Sequence, residues 1–85
     1  MKLYDTYLKY KKDYKDSILM IESGEFYEAL NDDAYILHYL LHYKILYKKR
    51  YIQLGFPKKL LQEVLHSLSD IGVMVIKNGG GNHFS

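Results

Sequence analysis

Phe26 and Glu28 stand two residues apart, just beyond a short polar turn that contains Gly24, in the stretch "SGEFYEAL". A flat apolar ring and a carboxylate at that spacing share one face of an extended strand, because successive side chains alternate between faces. Either Phe26 or Tyr27 must then face inward, and the local sequence leaves open which. If Phe26 points out, it presents an aromatic surface beside an acid. If it points in, it is core and Glu28 is a solvated charge.

Other groupings carry less chemistry. His38 and His42 are four apart, a spacing that can bind zinc on a helix, but there is no cysteine and no third ligand is evident. No metal site and no cofactor are expected. Ser and His residues occur without a pattern linking nucleophile to base. The carboxylates show no pairing that argues for hydrolysis, and the expectation is that the chain is not an enzyme.

Charge is more informative in its placement than in its total. The formal net charge is only +2. From Ala34 to Gln62 there is no Asp or Glu, whereas Lys44, Lys48, Lys49, Arg50, Lys58 and Lys59 fall there. Glu22, Glu25, Glu28, Asp32 and Asp33 crowd one short segment instead. Such asymmetry can build a basic face toward a polyanion. An ordinary solvated surface is the simpler alternative.

The elements that must position these residues follow from periodicity. Tyr4, Tyr7, Leu8 and Lys11 recur at helical spacing, which predicts a helix over Leu3 to Tyr14. "SILMIES", Ser17 to Ser23, is a short apolar run expected to be a strand buried on both faces. A turn at Gly24 and a second strand through "FYEAL" would complete a hairpin. "NDDAYILHYLLHY" predicts a helix capped by Asn31 or Asp32, with Ile36, Leu37, Leu40 and Leu41 facing the core. The Tyr35, Tyr39, Tyr43 stripe is expected at the core edge, with an exposed self-association face as the alternative. In "KILYKKRYIQLGF", Ile45, Tyr47, Tyr51 and Ile52 predict one strand from about Ile45, or two broken around "KKR", although tyrosines four apart would also let the helix continue through Tyr47. Pro57 suits the first position of a third helix, which Gly72 would end. "VMVIK", Val73 to Lys77, is expected to be a buried strand.

The fold class expected is therefore α/β: a small mixed β-sheet flanked by about three helices. One module would span residues 1–77, with a flexible tail over 78–85. Eighty-five residues make a modest core, burying roughly 60–65% of the unfolded surface. No apolar run approaches the roughly 20 residues of a membrane span. Met1 to Tyr10 lacks the apolar centre of a signal peptide. A cytoplasmic location is the simplest expectation.

The run "YLKYKKDYKDSILMIESGEFYEALNDDAYIL" resembles the start of the mismatch-recognition domain, domain I, of MutS-type DNA mismatch-repair proteins. The matching residues are Tyr7 and Leu8, Ile18 to Ile21, Gly24-Glu25-Phe26-Tyr27-Glu28, and Asp33-Ala34. "LGFPKKLLQEVLHSLSDIGVMVI" resembles that family's Gly-x-Pro turn, helix and closing strand, with Gly55 and Pro57 at the matching positions. The resemblance covers about residues 5 to 77.

The resemblance implies a DNA-binding module that probes mispaired or unpaired bases in double-stranded DNA. Phe26 would wedge beside such a base and stack on it, and Glu28 would hydrogen-bond to it. Lys48, Lys49, Arg50, Lys58 and Lys59 would hold phosphates, and other repair proteins would be further partners. Where the family commonly has a basic residue two positions before the Gly, this chain has Glu22. No Gly-rich phosphate loop or Walker-type lysine is present, so the chain is not expected to hydrolyse ATP. The competing expectation is a protein-interaction module that keeps the fold and has lost DNA binding.

Overall fold

Two apolar runs with no polar alternation, Ile18–Ser23 (β1) and Val73–Lys77 (β5), lie side by side as parallel strands, with Ile18 opposite Val73 and Ile21 opposite Ile76. Helices cover them on both faces, which is why neither strand alternates in hydropathy. In a computed structural model, residues 2–77 and 80–84 are described. The chain order is α1 (Lys2–Asp13), β1, β2 (Phe26–Leu30), α2 (Asn31–Leu41), β3 (Leu46–Tyr47), β4 (Ile52–Pro57), a 3₁₀ turn (Lys58–Leu60), α3 (Leu61–Ser67), β5 and β6 (Gly80–Phe84). The strands form one mixed sheet in the order β3-β4-β2-β1-β5-β6, in which every pairing except β1–β5 is antiparallel. The expected α/β architecture, a small mixed sheet with helices on it, is what the chain builds.

The core has two layers, one on each side of the sheet. Ile18, Met20, Tyr27, Ala29, Leu54, Phe56, Val73 and Val75 face α2 and α3, and meet Ala34, Leu37, Leu61, Val64 and Leu68. Leu19, Ile21, Leu30, Met74 and Ile76 face the other way and meet Tyr7, with Leu3, Tyr4 and Tyr10 of α1 packed beside them. Tyr51 closes that second layer, its ring stacked on Tyr4 with centroids 5.3 Å apart.

Asp33 joins the elements. It is 2% exposed. β2 leaves the sheet after Leu30, so the amide of Leu19 has no strand partner there; it donates to Asp33 Oδ2 at 3.1 Å instead. Lys11 Nζ donates to both carboxylate oxygens at 2.9 and 3.0 Å, and to the Ser17 carbonyl at 2.6 Å. The Tyr7 hydroxyl also donates to Asp33. One side chain thus ties α1, β1 and α2 together. Burial pushes the Asp33 carboxyl above its ordinary value, and Lys11 and the Leu19 amide oppose that shift without cancelling it. Burial, with the Asp33 charge and hydrogen bond next in weight, pushes the Tyr7 hydroxyl up as well.

Several local expectations are corrected. The cap of α2 is not a side chain of Asn31 or Asp32: Leu30 precedes the helix, with no side-chain capping bond. Asn31 sits at a φ of 52° and accepts from the Ile52 amide, while its neighbour Asp33 serves the core. The helix turns Ala34, Leu37 and partly Leu41 inward, leaving Ile36, Leu40, Tyr35 and Tyr39 exposed. Only Tyr43 of the tyrosine stripe packs on the core, its ring 5.9 Å from Phe56. α2 stops at Leu41, and His42 takes a left-handed φ of 63°. The strand expected from about Ile45 forms as two, Leu46–Tyr47 and Ile52–Pro57, broken around Lys48–Arg50 as the sequence allowed. Pro57 ends β4, and its φ of −60° leads into the 3₁₀ turn that precedes α3. α3 ends at Ser67, before Gly72, whose carbonyl instead accepts from the Ile18 amide at 2.9 Å.

The tail expected to be flexible contributes β6, with Lys77 opposite Gly80 and Val73 opposite Phe84. Its backbone groups are satisfied by the open edge of β5, a gain that side-chain composition does not report. Residues 78, 79 and 85 of that tail lie outside the described residues.

Removing the carboxylate at the junction should be costly. Asp33→Ala is expected to destabilise the domain by about 2–4 kcal/mol, since it strands a buried amide and a half-buried ammonium; urea denaturation measures it. The raised carboxyl also sets a sign. Folding favours the protonated form between the unfolded and folded pKa values, so stability relative to Asp33→Asn should rise as pH falls through that window. Denaturation midpoints of both proteins between about pH 3 and 7 check this, and a difference that moves the other way contradicts it.

Candidate nucleic-acid interface

The β1–β2 connection contains only Gly24 and Glu25, because Ser23 pairs with Phe26. Gly24 has a φ of +59° and stands first of the two, the position where a type II′ hairpin needs glycine. The tight turn puts Phe26 at the hairpin tip. Alternation is resolved with Tyr27 inward, at 3% exposed, and Phe26 outward, at 47%. The ring of Tyr27 lies 6.0 Å from that of Phe56 and anchors the hairpin from the opposite face.

Phe26, Glu28 and Leu30 lie on the sheet face that α1 covers. The helix shields Leu30 but not the tip, where Phe26 is open and Glu28 half-buried. β4 shapes the surroundings of Glu28. Gly55 stands directly opposite it, and a methyl at Gly55 would lie 3.1 Å from Glu28 Oε1. The glycine leaves the space that the carboxylate occupies. Gln53, one pair further along the same face, donates its side-chain amide to Glu28 Oε1. The acid is therefore aimed and held, with Oε2 not engaged by that bond.

The tip is clamped to the chain after β4. The Lys58 amide donates to the Glu25 carbonyl at 2.9 Å, and Lys58 Nζ pairs with Glu22 Oε2 at 2.5 Å. The hydrogen bond that the Lys58 ammonium donates to Glu22 holds it above its ordinary range.

The five basic residues singled out in the sequence are not brought together. Lys58 and Lys59 lie beside the Phe26 end, since Phe26 pairs with Pro57. Lys48, Lys49 and Arg50 form the exposed β3–β4 turn, at the other end of β4. At about 3.3 Å per strand residue the two groups are roughly 20 Å apart. Gln53 and Gly55 were missed as partners of Glu28. The signal was available only in register, as a glycine and an amide on the strand facing an acid.

The histidines do not converge. His38 Nδ1 donates to the Tyr43 carbonyl at 2.6 Å, and among the described residues no three potential ligands could hold a metal. No helix among them is long and apolar enough to cross a membrane.

The chain is thus a small α/β domain, a mixed sheet with helices on both faces and an exposed aromatic beside a seated acid at one hairpin tip. The sequence profile of MutS domain I matches residues 2–78, and the chain belongs to that family. It is 36% identical over 73 residues to the DNA mismatch repair protein MutS of Thermotoga petrophila, covering 86% of this chain and 9% of the relative. To the MutS protein of Fervidobacterium nodosum it is 38% identical over 69 residues, covering 81% of this chain and 8% of the relative. The MutS protein of Thermosipho melanesiensis is 33% identical over 69 residues. The chain thus spans less than a tenth of the length of these curated relatives.

The opposing glycine gives a direct check on how Glu28 is held. Gly55→Ala is expected to change stability by no more than about 1 kcal/mol, as strand glycines gain from reduced chain entropy. It should nonetheless displace Glu28 from Gln53. Thermal denaturation reports the first effect and the Gln53 side-chain amide resonances the second; unmoved resonances would show that Glu28 is not seated against Gly55.

Proposed function

We propose that this domain binds double-stranded DNA and probes mispaired or unpaired bases, with Phe26 as the wedge and Glu28 as the hydrogen-bonding partner. The observation that carries the reading is the outward ring at the hairpin tip beside a carboxylate seated on Gln53. A ring on a tight turn can enter a minor groove and part a base step at a cost of about a few kcal/mol. That cost falls where pairing is already defective, and stacking returns roughly 1–3 kcal/mol per base. A carboxylate near phosphates is tolerable only if it meets a donor, which confines binding to sites that offer one. The relatives are named for DNA mismatch repair, and that supports the same reading.

Few cations surround the tip, and one of them, Lys58, is already paired. Binding by this domain alone is therefore weak and salt-sensitive, with a Kd of about 10⁻⁴–10⁻⁶ M. A second reading, a protein-interaction module that has lost DNA binding, is favoured by the outer side of α2. There Tyr35, Ile36, Leu40 and Tyr39, the last 81% exposed, form an apolar surface.

Titration at low salt separates the two. A duplex with one unpaired base should bind more tightly than its perfect counterpart. Phe26→Ala should abolish the preference, weakening the defective duplex by about 5–150-fold, the equivalent of 1–3 kcal/mol. Because the ring is half exposed, the variant should melt near the wild type. Equal binding of both duplexes by wild type and variant removes the probe role; no binding of either leaves the interaction reading.

A further inference from the structure

An open groove of about 690 Å³ lies between the first turns of α1 and the ends of β1 and β5, beside the turn that presents Phe26. Its walls include Lys2, Thr6, Glu22, Ser23, Lys58 and Lys77. Three are cationic and one is acidic, and the acid is already paired with Lys58. Lys2 and Lys77 are exposed.

Strand register fixes how far these groups stand from the probe. Ile21 lies opposite Ile76, so Lys77 falls beside Glu22, while Ser23 lies opposite Phe26 and Phe26 opposite Pro57. Neighbouring strands are about 4.8 Å apart. Lys77 is therefore about 10 Å to one side of the Phe26 strand, rooted at the strand end on the α2–α3 face and lining the groove there, and Lys58 follows Pro57 about 5 Å to the other. The minor groove is about 6 Å wide. A ring inserted there has a sugar–phosphate rail on the β1–β5 side, where Lys2 and Lys77 line the groove. Lys48, Lys49 and Arg50, roughly 20 Å off along β4, stand away from that rail.

Resting on the DNA-probing reading above, we propose that this groove is a phosphodiester-backbone site. Lys2 and Lys77 hold the strand that passes the β1–β5 side of the probed base, and Thr6 and Ser23 offer hydroxyl donors to the same rail. The Glu22–Lys58 pair bounds the groove on the hairpin side and draws the Lys58 ammonium toward β1. The principal phosphate contacts are then at this end of the sheet, not at the β3–β4 turn.

The test uses the full chain and fluorescence anisotropy with two duplexes, one perfect and one carrying an unpaired base, across a salt series. Lys2→Gln/Lys77→Gln should weaken both duplexes by the same factor and reduce the slope of log K against log salt by roughly 2, about one for each phosphate contact. Each single variant should lose about half of that. Lys48→Gln/Lys49→Gln/Arg50→Gln should change the slope less than the double variant does, although it removes one more charge. A double variant with the wild-type slope, or a larger loss from the β3–β4 triple, overturns the assignment. If Phe26→Ala still abolishes the preference in that case, the probe stands and only the groove falls. If the wild type binds neither duplex at the lowest salt, the probe and the groove fall together. Circular dichroism melting verifies that each variant is folded.

Discussion

A single buried carboxylate sets the geometry of the molecule. Asp33 answers the amide that β1 exposes where β2 turns away into α2, and in doing so it fixes where that helix starts. Lys11 and Tyr7 reach the same group from α1, so the helix on one face and the helix on the other are registered through one residue. A buried charge without such partners costs several kcal/mol. Here three donors converge on it, which makes any slippage of α1 over the sheet expensive. The hairpin inherits that order, because β1 is held on one side by β5 and at its start by Asp33.

From that frame the shape of the hairpin tip follows in short steps. Gly24 closes the turn in two residues, Tyr27 is drawn into the core, and alternation then forces Phe26 and Glu28 outward. Gly55 and Gln53 make a seat for the acid. Each part is rigid for a reason distinct from its proposed role. A ring held this way would lose little conformational entropy in any contact it makes, and such preorganisation is how a small contact area gains selectivity.

Much of this was legible in the residues alone. The uninterrupted apolar runs at Ile18–Ile21 and Val73–Ile76 announced strands covered on both faces, and the hairpin around Gly24 was visible from its turn. What could not be read was long-range. Asp33 carries the same local signature as an ordinary helix-start acid, and only the missing strand partner of Leu19, fourteen residues earlier, draws it inward. Periodicity assigned Ile36 and Leu40 to the core of α2, yet the short residue Ala34 and Leu37 take that face because they meet Leu54 and Phe56 across it. The glycine-rich end reads as loose by composition, whereas β6 forms through backbone bonds to an edge that composition does not describe. At the site, alternation narrowed the wedge to Phe26 or Tyr27 but could not choose. The choice came from Phe56, a strand away, which offers Tyr27 an aromatic neighbour inside.

The brevity of β3 bears on how the molecule behaves in company. It is two residues long at the margin of the sheet, and both Leu46 and Tyr47 are open, the latter 74% exposed. A long apolar margin of that kind would recruit strands from other chains. Lys44 on one flank and Lys48, Lys49 and Arg50 on the other give like-charged copies a reason to repel before backbones can zip. The same cations therefore suit a gatekeeping place against fibrous stacking, and lengthening the strand or neutralising its flanks would leave that margin open to pairing with other chains.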